Sequence, residues 1–292
     1  MRWRTLALSC SIVLALLPVR AFAHHPWRST QSDNVNAIQV HARWTVSSGY
    51  SAPPGGFVDA HLFFLIDQVD QSQDNILDSI VSPLEPAFFE IGSNDGALDH
   101  TSYTGLQFFW SKCHPTTNSR TCNRNTDYFE GPMSPSPAMV AGHLYEFLGL
   151  YTGIVGGSSQ WKALIKDDTV GGGYVQGGAE GAAGSMCCST AMDWGGEADS
   201  SGYNLTSITL PATHGDLLQY IPLGQSSFVN WPGSHIFSAG SGTDCQVDDA
   251  VWDEFGPAGS YAFKCPTDPG QGYKFAHSWT QKYTGITVYD AY

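Results

Sequence analysis

The stretch HLYEFLGLYTGIVGGSSQWKALIKDD, residues 143–168, decides how the chain folds. In its second half Trp161, Ala163 and Ile165 alternate with Gln160, Lys162 and Lys166. A period of two belongs to a strand with one buried face, since successive side chains point to opposite sides. The first half is rich in aromatic and branched residues, which suit a pleated surface. The cluster GGSS lies between them, so the two halves read as a strand pair. The same character recurs in AIQVHARWTVSS (37–48), VDAHLFFLID (58–67), GLQFFWSKC (105–113) and ITVYDAY (286–292). Turn clusters punctuate these runs: SAPPGG, GSNDG, EGPMSPSP and DPGQG. Helical signals are scarce. The pattern predicts an all-β chain, an antiparallel sandwich or barrel.

The flanks set the compartment. Residues 1–23 combine Arg2 and Arg4, an apolar run from Leu6 to Leu17, and Ala21-Phe22-Ala23. A charged start, a short apolar core and a small-x-small site read as a secretory signal peptide. The expected mature chain begins at His24, has 269 residues and is secreted. No later segment is long and apolar enough for a membrane helix. The whole chain carries a net charge of −14; without Arg2, Arg4 and Arg20, ten basic residues face 27 acidic ones, a balance of −17. That excess argues against nucleic acid or an anionic membrane as partner. A monomer is expected.

Cysteine use agrees with export. Beyond Cys10 the chain has Cys113, Cys122, Cys187, Cys188, Cys245 and Cys265. An even count suits disulfides, though sequence does not fix their connectivity. Cys113–Cys122 and Cys245–Cys265 are the local choices, and adjacent Cys187 and Cys188 pair either with each other or elsewhere. No second C-x-x-C pair supports zinc. Residues 24–202 read as the sandwich. From about residue 203 turn residues multiply, so 203–292 is a turn-rich extension: further strands of the same domain or a small appended lobe. The glycine-rich run VGGGYVQGGAEGAAGS (170–185) reads as a loop.

Chemistry is sought among the carboxylates. Glu90 sits between Phe89 and Ile91 in PAFFEIGSNDG, where shielding from water raises a carboxyl pKa. Glu197 follows Trp194, Gly195 and Gly196 in AMDWGGEADSS. Glycines admit close backbone approach, and Trp194 is expected to wall the cleft. Two such carboxyls can divide labour, one protonated as acid and one ionised as base. Gln68, Gln107 and Gln160 are candidate amides for an oxyanion.

Read in order, the chain gives Glu90-Ile91-Gly92, then Phe108-Phe109-Trp110, then Cys113 and Cys122. A strand pair with Trp161 and Asp167 follows, then Trp194-Gly195-Gly196-Glu197. This order resembles the neprosin family of glutamic peptidases over roughly residues 37–200. The resemblance implies a concanavalin-like jelly-roll sandwich and acid proteolysis by two glutamates, Glu90 and Glu197, on a protein or peptide substrate. It implies no metal and no cofactor, a Cys113–Cys122 pair, and a substrate cleft shaped by Trp194, Gly195, Gly196 and Trp110. Here only about a dozen residues separate His24 from the first strand, too few for the large pro-segment of the plant members.

Other chemistries leave weaker marks. His24 with a second histidine (His61, His143 or His235) would suit a copper-dependent polysaccharide oxidase, but HPWRST after His24 matches no signature of that class. No H-E-x-x-H or G-x-S-x-G occurs. The acidic run DCQVDDAVWDEFG (244–256) lacks calcium-loop spacing and reads as a solvated face. Nine tryptophans and thirteen tyrosines with acids also suit a sugar cleft, catalytic or lectin-like. Asn204-Leu205-Thr206 is a glycosylation sequon.

Overall fold

In a computed structural model the described residues are 27–32, 35–66, 84–98, 105–114, 121–123, 126–177, 181–182, 187–199, 208–231, 235–239, 253–254, 259–264, 273–281 and 285–290. The expected signal peptide, His24, Gln68 and Asn204 lie outside them, and so do Cys245, Cys265 and most of the acidic run.

The described elements are all strands, and every pairing is antiparallel. They form two layers. In the first, the order is β16 (Asp253–Glu254), β15 (His235–Ala239), β1 (Trp27–Ser32), β12 (Ser189–Asp199), β3 (Phe57–Ile66), β4 (Leu84–Gly96), β5 (Leu106–Cys113) and β7 (Tyr128–Pro132). The short β6 (Thr121–Asn123) lies along the start of β4. In the second, the order is β17 (Gly259–Lys264), β18 (Tyr273–Gln281), β19 (Gly285–Asp290), β13 (Thr213–Pro222), β2 (Ala37–Thr45), β8 (Leu144–Val155) and β9 (Ser158–Asp167). Two short strands, β10 (Val175–Gln176) and β11 (Gly181–Ala182), flank β9, and β14 (Val229–Asn230) lies on the end of β13. Among the described residues the layers share backbone pairing at Ser189↔Ala37. The sandwich predicted from alternation is the fold observed, and residues beyond 203 supply strands to both layers.

The core lies between the layers, and large rings fill it. Trp44 of β2 stacks on Phe147 of β8, with centroids 3.6 Å apart. Its Nε1 crosses to donate to Ser93 Oγ of β4 at 3.0 Å, which satisfies a buried N–H. Phe64 of β3 meets Trp161 of β9 at 4.9 Å, and Phe108 of β5 meets Tyr145 of β8 edge-on at 4.8 Å. Two glycines make room for this packing. A Cβ on Gly149 would stand 2.4 Å from the Phe64 ring, and one on Gly215 would stand 2.4 Å from the Trp194 ring.

Gly215 therefore sets the spacing beneath the strand that carries Glu197. Gly215→Ala forces the buried indole aside, and overpacking of this kind costs about 1–3 kcal/mol. A lower melting temperature in thermal denaturation is expected. An unchanged melt would mean that the indole has room to move.

Candidate active site

Strand alternation assembles the site. On the outer face of the first layer, β12 presents Asp193, Gly195 and Glu197, and β3 presents Asp59, His61 and Phe63. Beside them β4 presents Glu90, Gly92 and Asn94, and β5 presents Phe109 and Ser111. Register then fixes the neighbours. Glu197 lies opposite Asp59, Gly195 opposite His61, His61 opposite Gly92, Phe63 opposite Glu90, and Glu90 opposite Ser111.

The two glutamates, 107 residues apart in sequence, thus meet across the intervening strand. One donor-type atom from each of Asp59, His61, Glu90 and Glu197 lies within 4.8 Å of the other three. His61 Nδ1 is 2.8 Å from Asp59 Oδ1 and 3.6 Å from Glu90 Oε1. Its Nε2 is 3.6 Å from Asp193 Oδ1. Asp59 Oδ1 also accepts the backbone N–H of Glu197 at 3.1 Å, and Ser111 Oγ donates to Glu90 Oε2 at 2.5 Å. With Asp59 ionised, Nδ1 of His61 donates this bond and presents no lone pair to a cation, while Nε2 faces Asp193.

The carboxyls differ in character. Burial pushes Glu90 up to about 8; the charges of Asp59 and Glu197 add to this, and His61 and Ser111 oppose it. Glu90 is 8 % exposed, whereas Glu197 is half-buried. Burial also raises Asp59, to about 6, against the pull of His61. For His61 burial disfavours the charged ring, but Asp59, Asp193 and Glu90 outweigh it and hold the imidazole well above its ordinary value. Glu90 therefore keeps its proton through neutral pH while Asp59 beside it loses its own at about 6, so unlike carboxyls stand at one point.

Some expectations require correction. Trp194 does not wall the cleft: it lies three residues from Glu197 on the same strand, an odd separation that turns it to the core. It is 0 % exposed there, 6.1 Å from Trp44. Gly196 shares that inward face, and only Gly195 of the pair stands beside the acids. Trp110 is likewise turned to the core side, between Phe89 at 5.5 Å and Phe129 at 4.6 Å. Neither indole is placed to touch a substrate over Glu90. Gln160 belongs to β9 of the other layer, where its Nε2 donates to Ser158 O at 3.2 Å. Gln107 does share the Glu90 face, but its Nε2 donates to Gly96 O at 3.3 Å, toward the far end of β4.

His143 bonds Asp167 at 2.8 Å in the second layer, and His24, the other half of the copper brace considered above, lies outside the described residues. The His235 side chain lies outside the described residues. Cys187 and Cys188 are bonded to each other. Cys113 is disulfide-bonded, while the side chain of Cys122 lies outside the described residues.

Sequence reasoning missed Asp59, Asp193 and Asn94, and it named His61 only as a copper ligand, not as a neighbour of the glutamates. The signal was present in VDAHL (58–62), where Asp59 and His61, two apart in a strand, must share a face. Asn94 is a buried amide opposite Asp59 on that face, and among the described residues its Oδ1 accepts no hydrogen bond.

No family model matches the chain, and no curated protein matches it in sequence. Solved structures do resemble it. Scytalido-glutamic peptidase, crystallised with a transition state analog inhibitor, aligns over 92 % of this chain and 100 % of its own, at 10 % identity and a TM-score of 0.41. SCP-B, a member of the Eqolisin family of peptidases in complex with the tripeptide Ala-Ile-His, aligns over 92 % and 100 % at 9 % identity and a TM-score of 0.38. The alginate lyase vAL-1 from Chlorella virus aligns over 61 % and 80 % at 8 % identity and a TM-score of 0.30. Likeness at this level transfers no role to any residue of this chain.

The cluster has a consequence for stability. Asp59, Glu90 and His61 are all raised, so at these three groups the folded state binds more protons than the unfolded one. Their contribution is complete below the unfolded values of 3.8 and 4.5 for the acids, and is lost as pH rises through about 6 and about 8. Two acids of the second layer act with the opposite sign. Glu146 is held well below the usual carboxylate range by His41, with Tyr174 and Lys166. Asp167 is lowered, despite burial, by His143 and the N–H groups of Val170 and Thr169. Their contribution is present above the unfolded values and is lost in stronger acid. Melting temperature is therefore expected to peak at about pH 4–5 and to fall by about pH 8. Glu90→Gln should flatten the alkaline slope, and equal slopes in the two proteins would remove Glu90 from this account.

Proposed function

We propose that this chain is a secreted acid endopeptidase of the glutamic type, with Glu90 and Glu197 as its catalytic pair. The observation that carries the reading is the approach of the two carboxyls to within 4.8 Å of each other in unlike surroundings. Two hydrogen bonds of ordinary length to one water span such a gap. The order Glu90-x-Gly92 … Trp194-Gly195-Gly196-Glu197, shared with neprosin-type peptidases, points to the same reaction. Residues 1–23 supply the argument for export.

In this mechanism Glu197, the more open and ionised member, takes a proton from the water as its oxygen attacks the scissile carbonyl carbon. Glu90, protonated and oriented by Ser111, hydrogen-bonds the carbonyl oxygen as it gains negative charge. The tetrahedral intermediate collapses as the C–N bond breaks. The leaving nitrogen receives one proton, and the pair returns to its starting state with one proton between the two groups. No step requires a metal or a cofactor. Retaining glycosidases place their carboxyls about 5–5.5 Å apart, so the same spacing admits glycan cleavage as a second reading.

Purified protein tests both readings on a peptide library and a polysaccharide panel. Peptide cleavage is expected in acid, falling through neutral pH and lost past about pH 8 as Glu90 ionises. Glu90→Gln and Glu197→Gln should each reduce kcat about 10²–10⁴-fold while keeping the native circular dichroism spectrum. A strong chelator should leave the rate unchanged. Cleavage confined to glycans would replace the peptidase reading. Full activity in both Gln variants would end the dyad.

A further inference from the structure

We propose that His61 is the positioning residue of the glutamate pair: a buried imidazolium clamped by Asp59 and Asp193 that stands against Glu90 and, through Asp59, holds the backbone of Glu197. This rests on the peptidase reading for its consequence in catalysis, though not for its geometry.

The surroundings of the ring make the case. His61 is 0 % exposed, and both strands that border it place a glycine directly opposite it in register: Gly195 on β12 and Gly92 on β4. With no side chain at either position, the diagonal neighbours reach the ring. These are Asp193 and Glu197 on β12 and Glu90 on β4; on its own strand, two residues back, is Asp59. Four acids thus face one imidazole. The contacts are 2.8 Å from Nδ1 to Asp59, 3.6 Å from Nδ1 to Glu90 and 3.6 Å from Nε2 to Asp193. Ser111 of β5 faces Glu90 with a neutral hydroxyl. On the far side Gly92 is closed by Phe109, whose ring would lie 2.6 Å from an added Cβ, so the acids are held on the imidazole side.

Nδ1 is hydrogen-bonded to Asp59, and Nε2 stands 3.6 Å from Asp193, an ion-pair distance; carboxylates facing both nitrogens favour the doubly protonated ring. A positive charge on the ring offsets the repulsion among the acids around it and favours their ionised forms over what burial alone would allow. The glycines of the E-x-G and W-G-G-E segments acquire a role here that neither segment suggests alone, since each clears a place beside the same imidazole.

Histidine-labelled full-length protein, observed by ¹⁵N NMR across pH with His61 assigned by comparison with His61→Gln, tests the charge directly. Both ring nitrogens are expected to stay protonated through pH 7. Asp193→Asn should lower the pH at which the ring loses its proton, a shift read in a protein that keeps its histidine. A ring titrating near its ordinary value of about 6.5, or unmoved by Asp193→Asn, overturns the proposal whatever the activity. In kinetics, loss of the cation raises the carboxyl pKa values. Both limbs of the kcat/KM profile of His61→Gln should therefore move up by about 1 unit or more. A uniform loss at every pH would mark His61 as structural only and overturn the positioning role. If the parent protein cleaves no peptide at any pH, the peptidase reading fails, and the NMR arm still decides the state of His61.

Discussion

One imidazole among four acids is the interaction on which the rest of this structure turns. Carboxyls crowded onto one buried face repel, and desolvation adds to the cost of their charges. His61 meets that cost at the centre: it contacts Asp59, Glu90 and Asp193 within 3.6 Å. The arrangement exists only because β12, β3 and β4 lie side by side in a register that brings Gly195, His61 and Gly92 into one row. A slip of one residue in either pairing would turn one strand's polar set into the core and its apolar set outward. The register is in turn guarded from beneath, where Leu62, Phe64, Ile91 and Trp194 fill the space between the layers.

The two layers divide the electrostatic work. In the second, Arg43 forks onto Asp216 through Nε and reaches Asp168 at 2.9 Å, and Lys166 bridges Asp168 and Glu146. There two cations are shared among Asp216, Asp168 and Glu146. In the first, several acids share one histidine away from water. Acids paired with lysine and arginine are neutralised where they stand; acids of unequal character around one buried histidine are the kind of arrangement that proton transfer uses.

Much of this was legible before any coordinates. Alternation in 58–67 and 143–168 reports strands because a period of two is a local property. Glu90 stood out because apolar neighbours flank it, and Glu197 because of the bare backbone before it. What failed was facing. Trp194 was read as a wall for Glu197, as if 191–201 were a turn. As a strand, an odd separation of three sends the indole to the core, and the structure makes that segment β12. His61 was considered only as a second copper ligand, since a lone ring in an apolar run announces nothing until its cross-strand neighbours are known. Pairing between β12 and β3 links residues more than a hundred positions apart, and no local pattern encodes it.

The backbone bridge at Ser189↔Ala37 sits at the root of β12. Among the described residues the two sheets meet in main-chain pairing there and elsewhere face each other through side chains alone, like the covers of a book bound along one spine. A strain that spread the covers would be felt first at the outer edges and last near the binding. Glu197 rides on the bound page, eight residues from the spine, while Glu90 rides two pages over. Breathing of the sandwich would thus be geared into small changes in how the two acids face each other, which ties the grip of the cleft to the elasticity of the whole molecule.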